Sequence, residues 1–273
     1  VDTTLELVVA EDEKQCHQIM DQMLADKTLD AAVTMHYSFP IGVSTVGKVI
    51  TPAKGKEMFL ATTTGTSSTE RVSGMLMNAI YGIASAKASG LEEPTVGLLN
   101  IDGARQVERS LKELQQKGYK INFCESARSD GGVVMRGNDL LLGVPDVMVC
   151  DSLTGNVLMK MFAAYSSGGS YEALGYGYGP GVGERFDKLI CILSRASGAP
   201  VVEGALQYAG TMAKGKLLEK TKLEFQQAKK AGFDAIIEEI QAASDAKGAK
   251  KEDVKPPPAK PVTVEIPGIV ILD

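Results

Sequence analysis

The sequence predicts an α/β protein with a mostly parallel sheet and helices packed on both of its faces. Short apolar segments suited to strands alternate along the chain with longer segments whose apolar residues recur at helical spacing. In addition, residues 147–150 are apolar throughout, which is typical of a strand buried on both faces of a parallel sheet. We therefore expect ligands to bind beyond the carboxyl ends of the strands.

The predicted elements follow one another in a regular order as far as residue 213. Strands are predicted over residues 5–10, 31–35, 58–62, 95–99, 120–124, 147–150 and 188–193. Helices are predicted over residues 11–27, 70–87, 105–117, 154–165 and 200–213. Gly118 stands where the third helix should end, a position that glycine favours because it adopts the left-handed conformation easily.

The change in composition after residue 213 predicts two parts of the chain. Residues 1–213 are predicted to form the α/β domain, and residues 214–273 a carboxyl-terminal extension. The first residue is Val1 rather than methionine, so we expect a chain that lacks the amino-terminal part of its domain. The extension is predicted to contain a charged helix over 217–243 broken at Gly232, a Lys- and Pro-rich linker over 246–261, and strands over 262–266 and 269–272.

Composition argues against several classes of function. The net charge of −5 disfavours nucleic-acid binding, and two histidines in 273 residues nearly exclude a histidine-built metal site. The four cysteines are far apart and show no Cys-x-x-Cys spacing, so neither a zinc site nor a disulfide framework is indicated. No apolar run approaches the roughly 20 residues that cross a bilayer. We expect a cytoplasmic protein that uses no metal, no cofactor and no membrane.

The richest segment for chemistry is the polar turn after the buried strand at 147–150. Asp151, Ser152, Thr154, Gly155 and Asn156 lie where this strand meets the next helix. Free backbone N–H groups at such a turn suit an anion, and Thr154 and Asn156 could add side-chain donors. Lys160 could add positive charge further along the helix. Simple helix capping by Asp151 or Thr154 explains the same residues equally well.

Three other segments are weaker candidates. Residues 62–69 are rich in hydroxyls between a strand and a helix, although a capped helix with a polar lead-in is the simpler interpretation. Residues 175–183 carry five glycines and match no phosphate-binding motif. We expect either a mobile loop, in which Tyr176 and Tyr178 could contact a ligand, or equally a plain flexible surface loop. Arg195, after the strand at 188–193, could hold a phosphate or form a surface ion pair.

The cysteines and histidines offer few candidates for catalysis. Cys150 and Cys191 lie in apolar strands, where most cysteines are small core residues. A reactive thiol would need a nearby cation or a helix N-terminus to lower its pKa, and Cys150 lies just before such a helix. His36 is a weak candidate for a general base, and His17 is expected on the surface of the first helix.

Motifs over residues 92–100, 137–143 and 146–160 resemble those of the bacterial PlsX-like phosphate acyltransferases. The resemblance is densest over residues 91–162, and Asp-x-x-Thr-Gly-Asn-Val-x-x-Lys is its most specific part. It implies a fold like that of phosphotransacetylases and isocitrate dehydrogenases, and the conversion of an acyl thioester and phosphate into an acyl phosphate. By position, it places these residues in the cleft: Asn100, Asp151, Thr154, Gly155, Asn156 and Lys160.

Other positions depart from the members that act in lipid synthesis. Ser152 replaces their usual glycine, and residues 194–200 replace their His-Gly motif. These departures are more similar to the alpha subunits of protein C in clostridial glycine, sarcosine and betaine reductase complexes. That resemblance implies release of acetyl phosphate from an acetyl thioester on a partner subunit, with inorganic phosphate as the acceptor. It also implicates a cysteine in carrying the acetyl group, with Cys191 the first choice and Cys150 the second.

Two alternatives stay open beside this function. The chain could be an acyl-phosphate synthase of phospholipid synthesis that uses acyl carrier protein. It could also be a non-catalytic subunit whose carboxyl-terminal extension binds the rest of a complex. In each case we expect a homo- or hetero-oligomer.

Overall fold

The computed structural model describes residues 6–252, and side chains as far as residue 246. The strands of this part of the chain are β1 (Ala32–Thr34), β2 (Val43–Ile50), β3 (Glu57–Thr66), β4 (Thr95–Leu99), β5 (Asn122–Phe123), β6 (Val134–Met135), β7 (Val147–Val149), β8 (Gly179–Val182) and β9 (Ile190–Ile192). They form a nine-stranded sheet in the order β1-β9-β8-β2-β3-β7-β4-β5, with β6 also pairing with β4.

Helices cover both faces of the sheet, which confirms the predicted α/β class. The helices are α1 (Glu13–Ala25), α2 (Arg71–Ala88), α3 (Ala104–Gln116), α4 (Gly137–Leu142), α5 (Ser152–Ala164), α6 (Ala199–Lys214), α7 (Leu217–Lys230) and α8 (Phe233–Glu252). Buried apolar residues form one core on each face of the sheet, and successive residues of β3 point alternately into the two cores. Phe59 and Ala61 face α2, α3, α7 and α8, whereas Met58 and Leu60 face α1, α4 and α5.

The strands run in two directions, and this decides which side chains can meet. Strands β3, β7, β4, β5 and β6 pair in parallel. Strand β2 is antiparallel to β3 and β8, and β9 is antiparallel to β8 and parallel to β1. Consequently β1, β2 and β9 run opposite to the other strands. The loops after β7 and after β9 therefore lie at opposite edges of the sheet.

The glycine-rich segment at 175–183 is not the mobile loop that the sequence predicts. Residues Gly179–Val182 form β8, a buried strand inside the sheet. A Cβ on Gly181 would lie 2.3 Å from the Phe39 ring, and one on Gly179 would lie 1.8 Å from the Val46 carbonyl oxygen. The glycines are thus required by close packing. Tyr178, only 3% exposed, is a core residue.

The structure also differs from the prediction in several other strands and helices. Residues 6–10 form no strand, although a strand is predicted over 5–10, and Leu7 and Val9 are exposed. Strands β2 and β6 and helix α4 were not predicted. The first half of the polar run 62–69 belongs to β3, which continues to Thr66.

The carboxyl-terminal helices pack against the same core as the sheet. Phe225 of α7 lies against Tyr81 of α2, with their ring centroids 5.7 Å apart. The break predicted at Gly232 is confirmed, since Gly232 has a φ of +93° between α7 and α8. Helix α8 continues through Glu252 into the predicted linker, whereas the strands predicted over 262–266 and 269–272 lie outside the described residues. Within residues 6–252, no helix has the length and apolar character needed to cross a membrane.

Candidate active site

A polar pocket lies where β3 and β7 end and α2 and α5 begin. Its volume is about 310 Å³. Each wall comes from a different element, so the pocket depends on the way that β2, β3, α2 and α5 meet. The side chains that matter for its chemistry are Ser44, Thr62, Ser67, Arg71, Asn78 and Asp151.

A chain of buried hydrogen bonds fixes the back of this pocket. Ser67 Oγ lies 2.7 Å from Ser44 Oγ and 2.5 Å from Asn78 Oδ1. Asn78 Nδ2 in turn donates to the Cys150 carbonyl oxygen over 2.8 Å. The chain ties β2, α2 and the end of β7 together. The hydroxyl-rich wall is therefore held rigid before any ligand arrives.

Thr62 presents a hydroxyl group for which the described residues provide no partner. Thr62 is fully buried and lines the pocket, and its Oγ1 makes no hydrogen bond. A buried polar group without a partner costs about 1–3 kcal/mol. Because Thr62 has no exposed surface, a ligand oxygen can accept a hydrogen bond from this hydroxyl only when the pocket wall opens.

Asp151 is the N-cap of α5 and carries a negative charge at the mouth of the pocket. Its carboxylate accepts hydrogen bonds from the backbone N–H and the hydroxyl of Thr154, at 2.9 and 2.8 Å. Arg71 Nη2 lies 2.9 Å from Asp151 Oδ2. Burial raises the pKa of Asp151, but the Thr154 hydrogen bonds and the Arg71 charge outweigh burial and leave the pKa below its usual value. Ser152, the next residue, also lines the pocket.

Gly155 and Asn156 lie behind the pocket and hold α5 against β3. A Cβ on Gly155 would lie 1.7 Å from the Thr62 carbonyl oxygen, so only glycine permits this approach. Asn156 Nδ2 donates to the Thr63 carbonyl oxygen over 3.0 Å. Both residues keep Thr62 and Asp151 in place, and neither lines the pocket.

Asn100 lies at the same edge of the sheet as Asp151. It follows β4, which pairs in parallel with β7, and its side chain is exposed. The loop that carries it touches the first turn of α2, because a Cβ on Gly103 would lie 3.1 Å from Val72 Cγ2. Asn100 is thus beside the pocket without lining it.

Lys160 and Arg195 lie away from the pocket, toward the opposite edge. Lys160 Nζ donates to Tyr178 Oη over 2.9 Å and lies 3.9 Å from the buried carboxylate of Glu172. The exposed Arg195 follows β9, whose carboxyl end lies at that edge. A phosphate site shared by Arg195 and Asp151 would need β9 and β7 to run in the same direction, and they run in opposite directions.

The two candidate cysteines are core residues in this conformation. Cys150 and Cys191 have no solvent exposure, and burial raises the pKa of each thiol to about 12. Thr62 O accepts a weak hydrogen bond from Cys150, and the neighbouring Asp151 charge raises the Cys150 pKa further. Among the described residues, neither thiol has a nearby cation that would favour a thiolate at neutral pH. His17 and His36 line a separate open depression beside α1.

Ser44, Arg71 and Asn78 are pocket residues that the sequence does not predict. Arg71 is the first residue of α2, directly after the polar run at 62–69, and its position could have been inferred from that run. Ser44 and Asn78 are far apart in sequence and meet only through Ser67. Within the described part of the chain, no group of three or more His, Cys, Asp or Glu side chains is placed to hold a metal ion.

Comparison with known proteins places the chain among named relatives. It is 53% identical over 273 residues to the alpha subunit of glycine/sarcosine/betaine reductase complex component C of Peptoclostridium acidaminophilum. That match covers the whole of this chain and 71% of the relative. A phosphate acyltransferase of Acetivibrio thermocellus is 42% identical over 96 residues, which are 35% of this chain and 25% of the relative.

A phosphate acyltransferase of Bacillus cereus is 36% identical over 88 residues, covering 31% of this chain and 23% of that protein. Among solved structures, the EutD phosphotransacetylase from Staphylococcus aureus matches with a TM-score of 0.42 at 14% identity, over 77% of this chain and 71% of that one. A family model described as "Fatty acid synthesis protein" matches residues 2–273. The chain therefore belongs to this family, that of the PlsX-like phosphate acyltransferases whose motifs it shares.

Proposed function

We propose that the chain transfers an acetyl group from a thioester to inorganic phosphate and so forms acetyl phosphate. In this proposal the thioester is carried by a partner subunit, and the chain acts within a glycine, sarcosine or betaine reductase complex. The observation that carries the proposal is the unpartnered Thr62 hydroxyl in a rigid, hydroxyl-lined pocket beside Arg71 and Asp151. Relatives named as a reductase component and as phosphate acyltransferases support it.

The pocket holds both a cation, Arg71, and a carboxylate, Asp151. A phosphate ion that still carries one proton therefore suits it better than an anion that carries none. At neutral pH phosphate is largely HPO₄²⁻, which carries one P–OH donor and several acceptor oxygens. The oxygens can accept hydrogen bonds from Thr62 and from Arg71, which strengthen because the acceptor is charged. The P–OH can donate to the Asp151 carboxylate, which would repel an anion without a proton.

The proposed step balances without any further reactant. A phosphate oxygen attacks the carbonyl carbon of the thioester, the new C–O bond forms, and the C–S bond breaks. The proton of the P–OH group ends on the departing sulfur, so the products are acetyl phosphate and a free thiol. Asp151 orients that proton, and positioning of the two reactants supplies much of the rate. The buried thiols of Cys150 and Cys191 take no part.

The experiment measures thiol release from an acetyl thioester as a function of phosphate concentration, with the partner subunit present. Thr62→Val keeps the side-chain shape and removes the hydroxyl. We expect it to lower kcat/KM for phosphate by about ten- to a hundredfold, the loss of one hydrogen bond to a charged group. Ser85→Ala is the matched control, because Ser85 Oγ is also buried and unpartnered but lies outside the pocket. No phosphate-dependent release by the unsubstituted chain would refute the proposal.

A second candidate function is acyl-phosphate synthesis from longer acyl chains. A mostly apolar cavity of about 360 Å³ favours it, and Val43, Met77 and Phe186 line this cavity together with the charged Glu184 and Arg185. A series of thioesters from acetyl to decanoyl separates the two functions. If the chain forms acetyl phosphate, the rate of thiol release should fall as the acyl chain of the thioester grows. If it acts in lipid synthesis, that rate should rise.

A further inference from the structure

Strand β3 contains a bulge of two residues beside the polar pocket. Thr45 of β2 lies opposite Thr64, whereas the next residue of β2 lies opposite Ala61. Thr62 and Thr63 therefore have no counterpart in the ladder with β2. Bulges redirect side chains and are frequent next to active sites. This bulge concerns the candidate site directly, because Thr62 lines the pocket.

The buried side chain of Thr63 ties the bulge to two neighbouring segments of the sheet. Its Oγ1 lies 2.7 Å from the Tyr178 carbonyl oxygen, directly before β8, and 2.7 Å from Thr45 Oγ1 on β2. A carbonyl oxygen can only accept a hydrogen bond, so Thr63 donates its one proton to Tyr178 and accepts the proton of Thr45. The donor capacity of Thr63 is therefore used within the protein, and none is left for a ligand.

Two further contacts fix the backbone and the methyl group of Thr63. Asn156 Nδ2 on α5 donates to the Thr63 carbonyl oxygen over 3.0 Å. Gly47 on β2 leaves the space that this methyl group fills, because a Cβ at residue 47 would lie 2.8 Å from Thr63 Cγ2. Thr62, in contrast, has a side-chain oxygen with no hydrogen-bond partner among the described residues. The position of the Thr62 hydroxyl is therefore set by the backbone of the bulge.

We propose that Thr63 is a positioning residue whose hydroxyl holds the bulge, and thereby the Thr62 hydroxyl, at the wall of the phosphate pocket. This inference rests on the proposed function, in which Thr62 donates a hydrogen bond to phosphate. Thr63 itself touches no ligand and acts through the peptide bond that joins it to Thr62. Without the Thr63 hydroxyl, the Thr62 hydroxyl would turn away from a phosphate that enters when the pocket wall opens.

Calorimetric titration of the full chain with inorganic phosphate tests this role in a double-mutant cycle. Thr63→Val keeps the side-chain shape and removes the hydroxyl, and we expect it to weaken phosphate binding by about tenfold. Thr63→Ser keeps the hydroxyl and should bind phosphate within about twofold of the unsubstituted chain. In a Thr62→Val background, Thr63→Val should have almost no further effect, because the group that it positions is gone.

Thr221→Val is the matched control, because Thr221 Oγ1 on α7 is also buried and also donates to a backbone carbonyl oxygen. It should leave phosphate binding unchanged. An equal effect of Thr63→Val in both backgrounds would overturn the proposal, since a merely structural residue would weaken binding independently of Thr62. Normal binding by Thr63→Val would overturn it too, while leaving the proposed function intact. Normal phosphate binding by Thr62→Val would instead refute both.

A compensating pair of substitutions tests the proposal without removing a hydroxyl. Gly47→Ala places a methyl group against Thr63 Cγ2, whereas Met159 Sδ, 3.1 Å from the new Cβ, can move because its side chain is flexible. We expect phosphate binding to weaken by about fivefold. Adding Thr63→Ser removes Cγ2 and should restore binding to within about twofold. Weakened binding that Thr63→Ser fails to restore, or no effect of Gly47→Ala, would contradict the positioning role.

Discussion

Arg71 Nη2 lies 2.9 Å from Asp151 Oδ2, so the first residue of α2 is paired with the N-cap of α5 across the mouth of the polar pocket. The pair joins two segments that are 80 residues apart in sequence. Thr62, whose hydroxyl has no partner among the described residues, lines the same pocket. In the function proposed above, this pair favours an anion that carries one proton over other ions.

Replacement of Arg71 by alanine should impair function far more than stability. The Arg71 side chain is 48% exposed, and ion pairs at such sites contribute only about 0.2–1 kcal/mol. We expect the free energy of unfolding in urea to fall by less than about 1 kcal/mol. The KM for phosphate should rise at least tenfold, because the pocket loses its cation. Arg105→Ala, which removes an exposed ion pair on α3, should leave that KM unchanged.

Gly155→Ala should be one of the most damaging single substitutions in α5. The new methyl group would lie 1.7 Å from the Thr62 carbonyl oxygen and 3.0 Å from Cys150 Sγ, and the backbone cannot yield cheaply. Overpacking of this kind costs typically 1–3 kcal/mol and occasionally more. Thermal unfolding measures the effect. Gly210→Ala in α6, where a Cβ meets nothing within 4 Å, should instead stabilise the protein by about 0.5–1 kcal/mol.

The thiols of Cys150 and Cys191 should be inert in the folded protein. Burial raises the pKa of each to about 12, so almost no thiolate is present at pH 7. A thiol reagent should modify the exposed Cys16 quickly, whereas Cys150 and Cys191 should react only after unfolding. Cys191→Ala should keep phosphate-dependent thiol release. An acetyl group found on Cys191 by mass spectrometry after turnover would show that the buried conformation opens and that the direct attack described above is wrong.

Acid stability should depend on Asp139 in α4. Burial raises the pKa of this carboxyl, but hydrogen bonds from the N–H groups of Arg136 and Ala127 and the Ser126 hydroxyl outweigh burial and lower it below 3.8. A lowered folded-state pKa stabilises the protein above the unfolded-state value, and this stabilisation disappears as the pH falls through the folded-state value. We expect the free energy of unfolding to fall below about pH 4, and Asp139→Asn to flatten that dependence. An unchanged slope in Asp139→Asn would contradict the assignment.

The sequence was sufficient to predict the α/β class and most of the helices, because helical periodicity and short apolar runs are local signals. Helices α1, α2, α3, α5, α6 and α7 begin within two residues of their predicted starts. Strand β2 was missed because Ser44, Thr45 and Lys48 give it a polar character. These residues are buried only because Ser67, Thr63 and Glu57 supply their partners from β3 and the turn that follows it.

The sequence predicts only part of the candidate site. It records neither the direction in which each strand runs nor the contacts between residues that are far apart in the chain. Asp151 and Ser152 do line the pocket, since strand ends are recognisable from local sequence. Arg195 lies at the other edge of the sheet because the antiparallel pairing of β8 with β9 reverses the second strand, and no local sequence pattern records strand direction. The sequence of residues 62–69 does not single out Thr62 either. Its hydroxyl lacks a partner among the described residues because of tertiary packing, which a local sequence does not record.

Calorimetric titration with inorganic phosphate tests most directly whether the pocket at Thr62 and Asp151 is the phosphate site. We expect one phosphate per chain, at least tenfold weaker binding to Thr62→Val, and unchanged binding to Ser85→Ala. We also expect sulfate to bind far more weakly than phosphate at pH 7, because sulfate has no proton to donate to Asp151. Equal phosphate binding by the unsubstituted chain and Thr62→Val, or sulfate binding as tight as that of phosphate, would contradict the account.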